Sequence, residues 1–419
     1  MDKIVINGGR KLSGTVEING SKNAALAILA ATLLTDDKCV IGNVPFLRDI
    51  DTMVALLEFL GKSVRRKNRV LEITHSARLK SRAPYGLVKK MRASVLVMGP
   101  LLARLGHVEV SLPGGCAIGD RPVNLHIDGF KKMGAVETVK DGYINMEAGV
   151  LHGAGIGLSF PSVGATENLM LGACGLRGRT IIKNAAREPE IEDLAKFLNS
   201  MGAKVIGAGT KAIEINGTDK LHGAKHEVIS DRIEAGTYMI AAAITRGDIV
   251  VNNAEVSYLK PLIAKLKAAG VSVTAAGKCL HVKADKTLVP CGIRTSPFPG
   301  FPTDMQAQWM AFMCTVKGSS QVTENVFENR FLHVAELWRM GANIKVKGNR
   351  AVVYGVKKLY GAPVMASDLR ASAALVLAGL AAEGKTEISR VYHIDRGYER
   401  IERRLRKLGA AIRRVKEAR

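Results

Sequence analysis

Met201-Gly202-Ala203-Lys204-Val205 reads as the apolar end of a helix, a glycine, and the first residues of a strand. The same word recurs at Leu60-Gly61-Lys62-Ser63-Val64, Met133-Gly134-Ala135-Val136, Ala269-Gly270-Val271, Met340-Gly341-Ala342-Asn343-Ile344 and Leu408-Gly409-Ala410-Ala411-Ile412. Its six glycines are separated by 73, 68, 68, 71 and 68 residues. A glycine just past a helix enters the left-handed cap conformation without the Cβ clash that other residues meet. The alternating residues beyond it then read as a strand. Self-similarity at one fixed period marks a repeat architecture.

A second signature keeps the same period. Helices rich in Ala, Gly, Ser and Met begin near Lys22-Asn23, Arg92-Ala93-Ser94, Gly164-Ala165-Thr166, Arg232-Ile233-Glu234, Thr303-Asp304-Met305 and Asp368-Leu369-Arg370. Their bodies, such as Ala371-Ser372-Ala373-Ala374-Leu375-Val376, are apolar nearly all round, which predicts burial and close helix contacts. A short strand such as Thr180-Ile181-Ile182 or Ile249-Val250-Val251 follows each one. One unit is thus helix, strand, loop, helix, glycine, strand. A single unit cannot cover its buried helix, so the units must assemble, as one ring of six or two groups of three. Polar residues recur where the buried helices start. Unpaired N–H groups and the positive end of the dipole make such starts receptive to anions.

Composition narrows the class. Of 419 residues, 47% are apolar and 24% charged, which excludes a disordered chain and leaves roughly two to four domains. With 5% aromatics and 43 glycines, the cores are built from small and aliphatic side chains. The longest apolar stretches, such as Ala371–Ala382, fall short of the roughly 20 residues of a membrane span. Met1-Asp2-Lys3-Ile4 lacks an apolar signal region. The six cysteines are scattered and form no CxxC pair, so a reduced, cytoplasmic setting is expected. The formal net charge of +23 favours anionic partners. No zinc-finger spacing, aromatic RNA-binding strand or basic zipper arm accompanies it, so no specific nucleic-acid partner is expected.

Four constellations carry chemistry. In Pro113-Gly114-Gly115-Cys116-Ala117-Ile118-Gly119-Asp120-Arg121, glycines surround a cysteine whose cationic neighbours would raise thiol reactivity, although a plain turn explains it equally well. Ser21-Lys22-Asn23 offers a point charge for a phosphate at a helix start, where ordinary capping is the commoner role. Asp304, in Phe301-Pro302-Thr303-Asp304-Met305-Gln306, is a cap or a general base. Three loops, Phe327-Glu328-Asn329-Arg330, Asp368-Leu369-Arg370 and His393-Ile394-Asp395-Arg396, each set an arginine within two residues of an acid. A local ion pair explains any one of them. Three at equivalent joints of consecutive repeats suggest a bidentate site for phosphate or carboxylate. The nine histidines show no metal-ligand spacing, and no GxGxxG or GxxxxGK[ST] is present, so neither metal nor cofactor is expected.

Taken in order, Lys22-Asn23, Lys90-Met91-Arg92-Ala93-Ser94, Pro113-Gly114-Gly115-Cys116, Asn184-Ala185-Ala186-Arg187-Glu188-Pro189-Glu190-Ile191, Phe301–Gln306, Phe327–Phe331 and Tyr392–Arg400 closely resemble the enolpyruvyl transferase family, and within it the UDP-N-acetylglucosamine 1-carboxyvinyltransferases. The match runs the whole length. It implies an α/β fold of two inside-out α/β-barrel domains, each of three repeats around buried helices. The domains would be 22–229, and 1–21 with 230–419, with the active site in the cleft between them. It further implies transfer of enolpyruvyl from phosphoenolpyruvate to the sugar 3-hydroxyl, with release of phosphate, in peptidoglycan synthesis and hence in cell shape and division. A monomer without cofactor is expected.

By motif, the resemblance puts Lys22, Arg121 and Arg396 on the phosphate of phosphoenolpyruvate, and Arg330 and Arg370 on its carboxylate. Asp304 would take the proton of the 3-hydroxyl. Cys116 would protonate the methylene carbon, assist product release and be the residue alkylated by fosfomycin. Asn23 and Asp368 would support the tetrahedral intermediate, and Arg92 would position the cysteine loop. Arg121, Pro122, Val123, Asn124 and Leu125, with Ser162, Val163, Gly164 and Val326, would contact uridine and diphosphate. Asn124 stands where the family pattern has Asp, and Phe160 where some members have Lys. The alternatives are 5-enolpyruvylshikimate-3-phosphate synthase, of the same fold and chemistry, and a non-catalytic basic scaffold for nucleic acid.

Overall fold

The computed structural model describes residues 2–111 and 123–416. Two compact units divide them: residues 20–111 and 123–229 form one, residues 2–19 and 230–416 the other. Each contains three of the six repeats. All six signature glycines adopt positive φ, from 85° at Gly341 to 113° at Gly61, so the left-handed cap is the conformation that the repeat requires.

Every repeat contributes to a four-stranded sheet. In the third, the short strand Gly155–Gly157 runs parallel to Gly178–Lys183, and the buried helix Val163–Cys174 lies between them in sequence. Gly178–Lys183 pairs antiparallel with Ala212–Gly217, which pairs antiparallel with Lys204–Ile206. The repeat therefore has two strands more than its sequence reading: a short lead strand and a return strand after the glycine hairpin.

Both three-repeat cycles are closed by distant pieces of chain. Lys225–Glu227, which follows the third repeat, pairs parallel with Cys39–Gly42 and is the lead strand of the first. In the other unit Ser13–Glu17 leads Asp248–Asn252. Asp2–Asn7 fills the sixth repeat's sheet between Lys385–Ser389 and Ala411–Lys416.

Three buried helices core each unit: Lys22–Ala31, Met98–Leu105 and Val163–Cys174 in one, Arg232–Ile244, Gln306–Met313 and Leu369–Ala381 in the other. Small residues set their spacing. A Cβ on Gly99 would lie 2.3 Å from the Asn168 carbonyl oxygen, and one on Gly172 2.6 Å from the Phe130 ring. Two of the six begin as tighter 3-10 turns, Arg92–Val97 and Thr303–Met305.

An asparagine device recurs at the joint after the central strand. Asn43, Asn184 and Asn253 sit at φ of 55°, 54° and 56°, a region their short polar side chains tolerate. Their Nδ2 groups donate to the carbonyls of Val228, Leu158 and Ile18 at 2.8, 2.9 and 2.9 Å. Each accepting residue directly follows a lead strand, so one side chain ties the ends of two strands together. Among the described residues, no helix is long and apolar enough to cross a membrane.

Candidate active site

In the unit of residues 2–19 and 230–416, chemistry gathers around Asp304, in the 3-10 turn that opens a buried helix. Arg330 donates through Nη2 to its Oδ1 at 2.8 Å, and Arg370 through Nη2 to its Oδ2 at 2.9 Å. Both guanidiniums are almost fully buried, whereas the Asp304 side chain keeps 27% of its surface. Two buried cations thus share one carboxylate that faces outward. Arg330 Nη1 is buried with no hydrogen-bond acceptor among the described residues. Burial works against the charge of Arg370, but Asp304, Tyr398 and Asp231 together outweigh it, and the guanidinium is held above its usual range. Arg370 also donates to the Tyr398 hydroxyl at 3.2 Å, which lies 2.8 Å from Thr237 Oγ1.

The arginines' sequence neighbours are engaged elsewhere. Asp368 caps its helix, accepting from the amides of Arg370 and Ala371 at 2.9 and 3.0 Å. Asp395 pairs with both terminal nitrogens of Arg414. Glu328 is exposed. A local ion pair therefore explains neither Arg330 nor Arg370. Arg396 ends the 3-10 turn Val391–Arg396. His333 is buried close to Arg330 and Asp368. Burial, with Arg330 added and against Asp368, pushes it down to about 4, which keeps it neutral at physiological pH.

The unit of residues 20–229 holds the other candidates. Ser21 caps the helix Lys22–Ala31, with Lys22 and half-buried Asn23 in its first turn. Lys22 Nζ lies 3.2 Å from Oδ2 of buried Asp49. Arg92 opens the turn Arg92–Val97. Asn124 and Leu125 begin the helix Asn124–Lys132, just after buried Val123. Ser162 caps the helix that starts with Val163 and Gly164. A pocket of about 460 Å3, lined by Leu125, Asp128, Gly129, Lys132, Ile156 and Leu158, opens beside the helix Asn124–Lys132.

His126, which the sequence reading passed over, joins them. Asn168 Nδ2 donates to Val95 O at 3.0 Å and to His126 Nδ1 at 2.9 Å, so the ring hydrogen belongs on Nε2. Burial, reinforced by Arg92, pushes His126 down to about 3, which agrees with a neutral imidazole. A Cβ on Gly164 would stand 3.5 Å from His126 Cε1. His126 thereby packs the Asn124, Arg92 and Ser162 segments against one another. A buried histidine on an apolar helix face carries no mark in sequence.

Cys116, Arg121 and Pro122 lie outside the described residues. Of the other cysteines, Cys39, Cys174 and Cys314 are buried, and burial pushes the Cys314 thiol up to about 12. Val326 is half-buried, four residues before Arg330. Among the described residues no group of three His, Cys, Asp or Glu is placed to hold a metal.

Comparison with known proteins adds the following. The family model described as EPSP synthase (3-phosphoshikimate 1-carboxyvinyltransferase) matches residues 6–405. A UDP-N-acetylglucosamine 1-carboxyvinyltransferase of Endomicrobium trichonymphae is 58% identical over 414 residues, covering 99% of both chains. Proteins of that name from Trichlorobacter lovleyi and Desulfatibacillum aliphaticivorans are 56% and 54% identical, covering 100% and 99% of this chain and 100% of their own. Among solved structures, the enolpyruvyl transferase NikO from Streptomyces tendae superposes with a TM-score of 0.90 at 24% identity, over 99% of this chain and 98% of its own. An EPSP synthase from Acinetobacter baumannii gives 0.77 at 18% identity, over 99% and 100%.

Proposed function

The chain belongs to the EPSP synthase family of enolpyruvyl transferases, and from that premise we propose that it is the member that acts on a nucleotide sugar. It transfers the enolpyruvyl group of phosphoenolpyruvate to the 3-hydroxyl of UDP-N-acetylglucosamine and releases phosphate, the committing step of peptidoglycan synthesis. The observation that carries the choice of acceptor is identity: 58% over nearly the whole chain to a protein of that name, against 18% to an EPSP synthase.

The chemistry is addition followed by elimination. The 3-hydroxyl oxygen bonds to C2 of phosphoenolpyruvate while C3 gains a proton, giving a tetrahedral phospholactoyl intermediate. Loss of a C3 proton and of phosphate then restores the double bond. Asp304 receives the hydroxyl proton. Arg330 and Arg370 bind the carboxylate of phosphoenolpyruvate, a role supported by their burial and by the unfilled Nη1 of Arg330. An anion that takes over these guanidiniums releases Asp304 from them, so substrate binding itself prepares the base. Lys22, Arg121 and Arg396 hold the phosphate, and Asn23 and Asp368 support the intermediate. Cys116 protonates C3 and is the site of fosfomycin alkylation. Arg92, Pro122, Val123, Asn124, Leu125, Ser162, Val163, Gly164 and Val326 receive the nucleotide sugar. The same reading comprises two domains, 22–229 and 1–21 with 230–419, and a cytoplasmic monomer that needs no metal, cofactor or nucleic acid.

Alkylation tests the cysteine assignment. With UDP-N-acetylglucosamine present, fosfomycin should modify Cys116 and abolish turnover, with peptide mass spectrometry locating the adduct. Equal modification of Cys279 or Cys291, the half-buried thiols, would count against it.

A further inference from the structure

The fifth repeat departs from its sisters at the joint after its central strand Ser319–Thr323. It lacks the left-handed asparagine directly after the strand; Asn325, one residue further on, approaches the carbonyl of Thr295, directly after the lead strand Ile293–Arg294, through Nδ2 at 3.4 Å. The last residue of the lead strand pairs with Gly42, Lys183 and Asn252 in the repeats of Asn43, Asn184 and Asn253 and with Thr323 here, so the position of those asparagines is taken by Glu324, 2% exposed.

Its carboxylate is engaged on both oxygens. Oε1 accepts from Thr295 Oγ1 at 2.8 Å and from the amides of Val326 and Phe327 at 2.8 and 3.2 Å. Oε2 accepts from Thr303 Oγ1 at 2.9 Å. One arm therefore ends on the residue adjoining Asp304, and the other on the backbone of Val326, at the head of the loop that leads to Arg330. A buried carboxylate is costly to desolvate and is kept only where several donors repay it. Three sister repeats fold this joint with an uncharged asparagine at that position.

We infer that Glu324 is a positioning residue, a spacer that fixes the Asp304 turn against the Val326–Arg330 loop so that the hydroxyl of the sugar nucleotide and the base meet at the right distance. This rests on the functional reading above. The role depends on span rather than charge. A glutamine can put its carbonyl at the Oε1 position and turn its amide toward Thr303, whose hydroxyl then accepts. An aspartate, one methylene shorter, keeps the charge but cannot reach both arms.

The test compares Glu324→Gln, Glu324→Asp and Thr303→Val with a matched joint variant, Asn253→Ala, by steady-state kinetics and thermal unfolding. Glu324→Gln is expected within about threefold of wild type in kcat. Glu324→Asp should lose ten- to a hundredfold in kcat, as a misplacement of roughly an ångström would. Thr303→Val, which keeps the fold and cuts one arm, should lower kcat in the same direction. Asn253→Ala should melt earlier with kcat and KM within about twofold. The inference is overturned if Asp retains activity and Gln loses it, or if the Glu324 variants lose only melting temperature, as Asn253→Ala does. No turnover of UDP-N-acetylglucosamine by the wild type would overturn the functional reading itself, and the inference with it.

Discussion

Asp304 carries the densest claim at the scale of single residues. It shares two buried arginines and is the proposed acceptor of the hydroxyl proton. Asp304→Asn should lower kcat a hundredfold or more, the usual order for a lost general base. Steady-state phosphate release measures it, and near-normal turnover would remove Asp304 from that role. His126 offers a test independent of activity. Its folded value of about 3 lies below the ordinary 6.5, so between those pH values the unfolded chain binds the extra proton. Stability tied to His126 is therefore full above pH 6.5 and lost as pH falls toward 3, at about 1.4 kcal/mol per unit. The advantage of wild type over His126→Asn in urea titrations should shrink by about 2 kcal/mol between pH 7.5 and 5. An advantage that does not change with pH would show that the ring titrates alike in the folded and unfolded chain, as an exposed one does.

The six glycines, at the scale of elements, separate conformational from steric cost. Gly409 sits at φ 96° with nothing nearer than 3.9 Å to an added Cβ, whereas at Gly61 (φ 113°) it would meet the Ala77 carbonyl oxygen at 2.7 Å. Gly409→Ala should cost roughly 1–2 kcal/mol, the price of a left-handed alanine, and Gly61→Ala distinctly more. Chemical denaturation ranks them, and equal losses would mean that the Gly61 turn relaxes freely. These glycines were legible because a left-handed cap demands one residue type at one place. The lead strands were not: Arg82–Ala83 and Ile293–Arg294 are two residues long, too short to show alternation. Nor was closure legible, since Asp2–Asn7 finds its sheet partners at residues 385–389 and 411–416, a choice made by packing rather than by any local signal.

Across the whole molecule, part of the +23 charge has a structural home. Lys62–Lys67, Asn343–Lys347 and Ala411–Lys416 are edge strands of their sheets and carry repeated Lys and Arg. Charged edges resist pairing with the edges of other molecules. The site was legible to the same uneven degree. The ordered motifs supplied its residue types. Which acid meets which arginine was hidden, because Asp368 and Asp395, adjacent in sequence, cap a helix and bind Arg414, while Asp304, far along the chain, holds Arg330 and Arg370. His126, Asn168 and Glu324 were missed for one reason: a polar residue announces its burial only once the fold surrounds it.

The acceptor decides the account. Phosphate release from phosphoenolpyruvate, measured in parallel with UDP-N-acetylglucosamine and with shikimate 3-phosphate, should be rapid and fosfomycin-sensitive with the nucleotide sugar and at background with the other. Release with shikimate 3-phosphate alone, or with neither acceptor, would contradict it.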